Sequence, residues 1–349
     1  MKRVSLRDIA KESGVSLKTV SRILSGDVDS HRPETCAVVQ DVAARLNYRP
    51  NLAAGAVFGR ATRTVGIMIP FADDGDFYGR IVKGAHDELV RSNYAPILVL
   101  STPELDLRQQ IHSLIDRRVD GILVRPMYER VDEVLLEEVL GRRLPLVIVM
   151  RPTEMTGKLD FVGADEYAMG TMAGRHLLER GHRNTAFIGV DSTEKPWPET
   201  VTGQRWRGFR DVLRAAGGSS VLACQDRSVA QPIEMVCDLL RLTPRPTAIF
   251  AATDRLALDT YAAAARLGLR VPQDLSVIGC GNLVYGAHMT PPLTTCDSHP
   301  EQMGAAAAAC LIDRIEKKRR KPVELRIQPT LVERASVGRV REDGGIKRG

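Results

Sequence analysis

The chain predicts an all-α helix-turn-helix head-piece followed by an α/β region of two Rossmann-like subdomains. Three observations lead there. Residues 5–25 carry apolar residues at helical spacing on either side of a glycine turn. From Thr64 onward, apolar runs of strand length alternate with amphipathic helices, the pattern of parallel strands covered on both faces. About nine such units exceed one small sheet, so two sheets with a ligand cleft at their carboxyl ends fit better.

Composition sets the bounds. The 349 residues are 44% hydrophobic and 26% charged, which suits a water-soluble protein of two or three domains. No apolar segment follows the basic residues at the start, and the apolar run Gly304–Ile312 is too short to span a bilayer. A cytoplasmic location and no membrane partner are expected. The six cysteines (36, 224, 237, 280, 296 and 310) are scattered without a C-x-x-C, so reduced thiols and no metal site are expected. Net charge is +6, of which residues 1–60 hold +4 from ten bases and six acids. A positive field gathered on a small domain suits a phosphate backbone, although a solvated charged surface gives the same count.

The first helix takes Leu6, Ile9 and Ala10 as its apolar stripe, and Gly14 ends it. Ser16 stands where a helix N-cap belongs, with Val20 and Leu24 facing inward one turn apart. Leu17, Lys18, Ser21 and Arg22 are left facing out. Such a second helix enters the major groove in helix-turn-helix proteins. Two packed helices of an ordinary helical domain would read alike at this level. A loop over Ser25–Arg32 precedes a third helix that starts at Pro33, with Val38, Val42, Ala43 and Leu46 as its expected inner face. Residues 50–60 form a linker. Its alanines favour a short helix, while Gly55 disfavours it by about 1 kcal/mol relative to alanine. A helix this short needs outside support to form.

The later strands are predicted at residues 65–70, 97–100, 121–124, 146–150, 161–163, 185–190, 248–251, 275–279 and 293–296. Helices are predicted over 77–92, 105–117, 131–141, 166–180, 203–216, 233–241, 255–267 and 301–318. The expected organisation is a helix-turn-helix domain over 1–49, a linker over 50–61 and an α/β region over 62–337. The last of these splits into one subdomain of 62–163 with 297–328 and another of 164–296 with 329–337. The polar, glycine-rich residues 338–349 read as a disordered tail.

The words Leu6-Arg7-Asp8-Ile9-Ala10, Ser13-Gly14-Val15-Ser16, Thr19-Val20-Ser21-Arg22-Ile23-Leu24 and Leu46-Asn47-Tyr48-Arg49-Pro50-Asn51 resemble the head-piece of the LacI/GalR family of bacterial transcription regulators. Gly66-Ile67-Met68-Ile69-Pro70, Asp120-Gly121-Ile122-Leu123, Pro246-Thr247-Ala248-Ile249-Phe250 and Thr290-Pro291-Pro292-Leu293-Thr294-Thr295 resemble that family's effector domain. The resemblance implies the periplasmic-binding-protein type 1 fold, three chain crossings between subdomains, and a homodimer on a pseudo-palindromic DNA operator. By the same resemblance, residues 1–49 are the DNA-binding domain, 50–61 the hinge, and 62–337 the effector and dimerisation domain. It implies base contacts from Leu17 and Lys18, with Arg22 on a base or phosphate. Phosphate anchors would be Ser5, Ser16, Thr19, Ser21 and Asn51. A hinge helix carrying Ala54 would wedge Val57 into the minor groove, where the family has a longer leucine.

The same resemblance places ligand residues in the cleft. Phe77 and Tyr78 match its aromatic wall, and Arg125, Arg151, Arg205 and Arg227 fall at or near its ligand positions. Thr253 stands where the family has asparagine, beside Asp254. Gly281 and Met150 replace two aspartates of sugar-binding members. Fewer acids and more guanidiniums predict an anionic effector, such as a sugar acid, another carboxylate or a sugar phosphate. A neutral sugar or a purine is the alternative. Asp165-Glu166 and Asp87-Glu88 read as solvated helix faces. No G-x-S-x-G, Walker A or H-E-x-x-H motif is present, so no catalytic residues and no cofactor are expected. The expected function is a DNA-binding regulator, most simply a repressor, rather than an enzyme or a solute-binding receptor.

Overall fold

The computed structural model describes residues 4–24, 27–48, 61–70, 75–102, 107–125, 139, 141–150, 158–191, 200–226, 232–317, 319, 321–340 and 346–347. The chain divides into two compact units, Met1–Thr62 and Arg63–Gly349.

The first unit holds α1 (Leu6–Ser13), α2 (Leu17–Ile23) and α3 (Pro33–Arg45). Gly14 ends α1 at φ 67°, a left-handed conformation that glycine adopts without a Cβ penalty. Ile9, Val20, Ile23, Cys36, Val39, Val42 and Ala43 form its core. The inner face of α3 is rotated from the expected one: Val39 is fully buried, whereas Val38 is 46% exposed. Cys36, Val39 and Ala43 keep the i, i+3, i+7 spacing of one helical face, and Val38 lies one residue off it.

The second unit contains two six-stranded sheets. The first sheet uses β1 (Thr64–Pro70), β2 (Ala95–Ser101), β3 (Gly121–Val124), β4 (Leu146–Val149), β5 (Asp160–Ala164) and β11 (Glu324–Ile327), in the order 2-1-3-4-5-11. The second uses β6 (Asn184–Asp191), β7 (Ser219–Asp226), β8 (Ala248–Ala251), β9 (Ser276–Cys280), β10 (Thr294–Asp297) and β12 (Thr330–Val332), in the order 7-6-8-9-10-12. Every pairing in these two sheets is parallel except β10 with β12. The central strands β3, β4, β5, β8, β9 and β10 are buried throughout, as a sheet covered on both faces requires.

The covering helices are α4 (Gly75–Arg91), α5 (Leu107–Asp116), α6 (Glu166–Glu179), α7 (Val201–Ala215), α8 (Pro232–Leu240), α9 (Asp254–Arg266), α10 (Val284–His288) and α11 (Pro300–Glu316). The chain leaves the first sheet after β5, returns after β10 through α11, and goes back after β11 to place β12. This is the architecture of a periplasmic-binding-protein type 1 fold, with two subdomains joined by three crossings.

Some elements had no signal in the periodicity. β7, β11 and β12 are edge strands, where burial on both faces is not required and polar residues are tolerated. The predicted helix over 131–141 lies largely outside the described residues. Of residues 338–349, read from the sequence as a disordered tail, Gly338 and Val340 are tied to the second sheet's side of the molecule. Val337 is buried, the Gly338 carbonyl faces His182, and Val340 donates to the Arg180 carbonyl. Arg339–Val340 then pairs antiparallel with Ile346–Lys347.

Candidate functional site

In the small unit, α2 presents a polar face. Ser16 caps it, its hydroxyl accepting from the Thr19 N–H at 3.2 Å and lying 2.9 Å from the Thr19 hydroxyl. Val20 and Ile23 are buried beneath. Leu17, Lys18 and Arg22 are exposed, with Ser21 half-buried between them. Thus Leu17, Lys18, Ser21 and Arg22 share one side of the helix. Arg22 is 3.9 Å from Asp27, a loose pairing at the surface.

Ser5, expected to anchor a phosphate, is placed at the start of α1 with its donors on Asp8. Its hydroxyl donates to the Asp8 carboxylate at 2.6 Å and its N–H donates to the same carboxylate at 2.8 Å. Both donors fix the start of α1 in the free protein, as a capping box does. Asn51, Ala54 and Val57 lie outside the described residues.

The second candidate site lies in the larger unit, at the carboxyl ends of its strands. Arg125 follows β3, its N–H donating to the Met68 carbonyl at 2.9 Å. Its guanidinium lies over the Tyr78 ring, 5.2 Å from the centroid. Tyr78 packs edge-on against Phe77, with centroids 5.6 Å apart. Phe77 itself is 8% exposed and belongs to the core, so Tyr78 is the ring that Arg125 meets. Met150, in the place of an aspartate, directly follows β4 in a left-handed conformation at φ 69°. Strained backbone of this kind gathers at ligand sites. Arg151 and Arg227 lie outside the described residues.

On the second sheet's side, Arg205 is 5% exposed and Glu166 2% exposed. Arg205 Nε donates to Glu166 Oε2 at 2.5 Å, and its Nη1 donates to the Ala252 carbonyl at 2.6 Å. Burial opposes the guanidinium's charge, but neighbouring groups including Glu166 outweigh it and hold Arg205 above its usual pKa. The carboxylate of Glu166 is therefore no solvated helix face, and Arg205 stands there as half of a neutral pair.

Thr253 caps α9, accepting from the Leu256 N–H at 3.2 Å. Asp254 is fully buried and accepts from the Leu283 N–H at 2.7 Å and the Thr295 hydroxyl at 2.6 Å. Burial pushes its carboxyl above the usual range, against those two donors. Asp254 so shapes the loop after β9 from beneath instead of facing open space. Gly281, in that loop at φ 130°, offers its carbonyl to Arg80 Nη1 at 3.4 Å. Among the described residues no group of three His, Cys, Asp or Glu is placed to hold a metal, and no helix is long and apolar enough to cross a membrane.

Comparison with known proteins agrees with both regions. The profile "Bacterial regulatory proteins, lacI family" matches residues 5–51, and "Periplasmic binding protein-like domain" matches residues 175–337. The "HTH-type transcriptional repressor PurR" of Edwardsiella ictaluri is 32% identical over 338 residues, covering 95% of this chain and 96% of the relative. The chain belongs to the LacI/GalR family of transcriptional regulators.

Solved structures of the family superpose along the length of the chain. A "transcriptional regulator CelR-cellobiose complex" matches with TM-score 0.70 at 28% identity, covering 96% of this chain and all of that one. A lac repressor dimer bound to operator and the anti-inducer ONPF matches with TM-score 0.78 at 22% identity, covering 96% and 99%. The latter likeness shows the fold alone. Its relatives being regulators, this family member is a DNA-binding transcription regulator rather than an enzyme. Of the residues of the larger unit's site, Glu166 reads from the sequence as part of a solvated helix face, and Arg80 is not singled out there. A glutamate directly after a capping aspartate is one weak signal for the first; the second had none.

Proposed function

We propose that this LacI/GalR family member is a transcriptional repressor that binds a pseudo-palindromic operator as a homodimer and is switched by a small metabolite held in the cleft. The observation that carries the reading is the face of α2, where Leu17, Lys18, Ser21 and Arg22 stand together above a buried Val20 and Ile23. Early residues of such a helix reach base edges, while hydroxyls and bases around it hold phosphates. Thr19, Ser16 and Arg22 serve as phosphate partners in this reading, with Asn51, Ala54 and Val57 acting from the hinge. Dimerisation has support in two edge strands that expose apolar side chains: Leu98 and Leu100 on β2, Val221 and Leu222 on β7.

The metabolite is read as a small polar molecule. Arg205 is already matched by Glu166, and Arg80 is paired with Asp297. Arg125, whose guanidinium lies over the Tyr78 ring, supports a carboxylate-bearing ligand such as a sugar acid, because its planar fork matches a carboxylate. The Glu166–Arg205 pair favours a neutral sugar as the second reading, and the CelR structure holds cellobiose.

Gel-shift titration of an operator tests the reading. Sugar acids or neutral sugars are expected to change the apparent Kd at least tenfold. Protein that shifts no operator, or whose shift ignores every small molecule offered, overturns it.

A further inference from the structure

The buried pair beneath the cleft carries more than its own stability. Glu166 is the first residue of α6, directly after Asp165, which caps that helix by accepting from the Ala168 N–H at 2.9 Å. Arg205 lies in the first turns of α7, which Thr200 caps in the same way from the Gly203 N–H at 2.9 Å. The two helices meet at glycines. A Cβ at Gly170 would fall 1.9 Å from the Arg205 carbonyl oxygen, and one at Gly208 would fall 2.1 Å from the Tyr167 carbonyl oxygen. The backbones bearing Glu166 and Arg205 are thus held at closest approach, and the ion pair between them has little room to rearrange.

The pair uses only part of its hydrogen-bonding capacity. Nε and Nη1 of Arg205 are taken by Glu166 Oε2 and the Ala252 carbonyl. Arg205 Nη2 and Glu166 Oε1 have no hydrogen-bond partner among the described residues, and neither is a sealed-off buried atom. The pair therefore offers one donor and one acceptor, with no net charge. That combination fits a hydroxyl, which both donates and accepts; a carboxylate, whose oxygens only accept, leaves Glu166 Oε1 unmatched, and a phosphate brings at least one full negative charge against the Glu166 carboxylate. An anion at Nη2 would also sit beside the Glu166 carboxylate in a poorly solvated site.

We propose that Glu166 is a specificity-determining residue of the cleft: by neutralising Arg205 and standing beside its Nη2, it selects a ligand hydroxyl at this position and rejects an anionic group. The proposal deepens the reading of the cleft as a metabolite site and rests on it. A site built to pair both halves of a hydroxyl discriminates sharply, because the wrong group leaves a buried partner unmatched.

The test uses inorganic phosphate as the probe anion and the full chain. In the Glu166→Gln variant Arg205 becomes a bare cation, and phosphate is expected to raise the Tm by about 2 °C or more at saturation. The Glu166→Gln/Arg205→Met double variant is expected to lose that response. A Glu166→Gln protein that gains no phosphate response overturns the proposal, as does a response that survives in the double variant. Should Glu166→Gln not fold, a crystal structure of the wild type grown in phosphate decides the matter. Arg205 is expected to remain on Glu166 with no anion at Nη2, and an anion bound there overturns the proposal. These outcomes are independent of operator binding, so a failure of the metabolite-switch reading is told apart by the gel shifts.

Discussion

Arg80 Nη2 stands 3.6 Å from Asp297 Oδ2, joining a helix of the first subdomain to the last parallel strand of the second. The same guanidinium donates to the Gly281 and Asn282 carbonyls at 3.4 and 3.3 Å. Asn282 in turn donates to Asp297 at 2.9 Å and accepts from Arg334 at 2.8 Å. One side chain thereby ties α4 to the loop that covers Asp254. Arg80→Ala is expected to loosen that loop by about 1 kcal/mol. Amide exchange at Asn282, Leu283 and Val284 should accelerate several-fold, while exchange in β6 and β8 stays unchanged.

The α6–α7 contact makes a sharper prediction. Gly170→Ala places a methyl group against the Arg205 backbone where 1.9 Å is available, and the three nearest atoms, from Arg205 and Phe209, all belong to main chain. The helices must separate, at a cost of about 1–3 kcal/mol or more. Chemical denaturation should show the midpoint falling. Gly217→Ala is a poor control because its φ is 71°, whereas Gly79→Ala meets nothing within 4 Å and should be tolerated.

Much of this was legible in the residues. The strand and helix alternation after Thr64 follows from buried strands needing apolar residues on both faces, and those strands were found within a residue or two. Edge strands such as β7 lack that requirement and left no mark. In α3, Val38 and Val39 are equally apolar, and only the packing of Ile9 and Val20 beneath decides which turns inward. The basic residues near the cleft could be counted from sequence, but not their partners. Glu166 lies 39 positions from Arg205, and nothing local says that the two meet. Asp254 similarly reads as a cleft carboxylate until the Leu283 N–H and the Thr295 hydroxyl are seen to occupy it.

His182 gives a pH-dependent prediction. It is fully buried, with Nε2 3.0 Å from the Gly338 carbonyl and Nδ1 2.9 Å from the Thr247 hydroxyl. The carbonyl can only accept, so Nε2 carries the proton and Nδ1 is the acceptor in the neutral ring. Burial pushes the imidazole down to about 4. The unfolded chain, with a histidine pKa of about 6.5, then binds a proton that the folded protein refuses. The neutral ring's contribution is present above pH ~6.5 and is lost as pH falls toward about 4, reaching about 3 kcal/mol in total. In His182→Gln the fall in denaturation midpoint over this window should be shallower by up to one proton's worth of slope. An unchanged slope would contradict the buried neutral ring.

On DNA, Lys18 and Arg22 should separate into different roles. Lys18→Ala is expected to relax base preference at one position of each half-site, at about 1–3 kcal/mol per site. Arg22→Ala, if Arg22 holds a phosphate, weakens all sequences alike and lowers the salt slope by about one for each phosphate it no longer neutralises. Competition gel shifts over a series of operator variants and salt concentrations distinguish the two patterns.

The central claim is that α2 reads DNA under the control of a molecule bound between the two sheets. Selection of binding sequences from a random double-stranded library, repeated with and without a mixture of sugars and sugar acids, tests it most directly. The account predicts enrichment of a two-fold-related sequence, lost in a protein whose Leu17 and Lys18 are both alanine, and an enrichment strength that changes with the small molecules. No enriched sequence, or one enriched equally by the Leu17→Ala/Lys18→Ala protein, would contradict it.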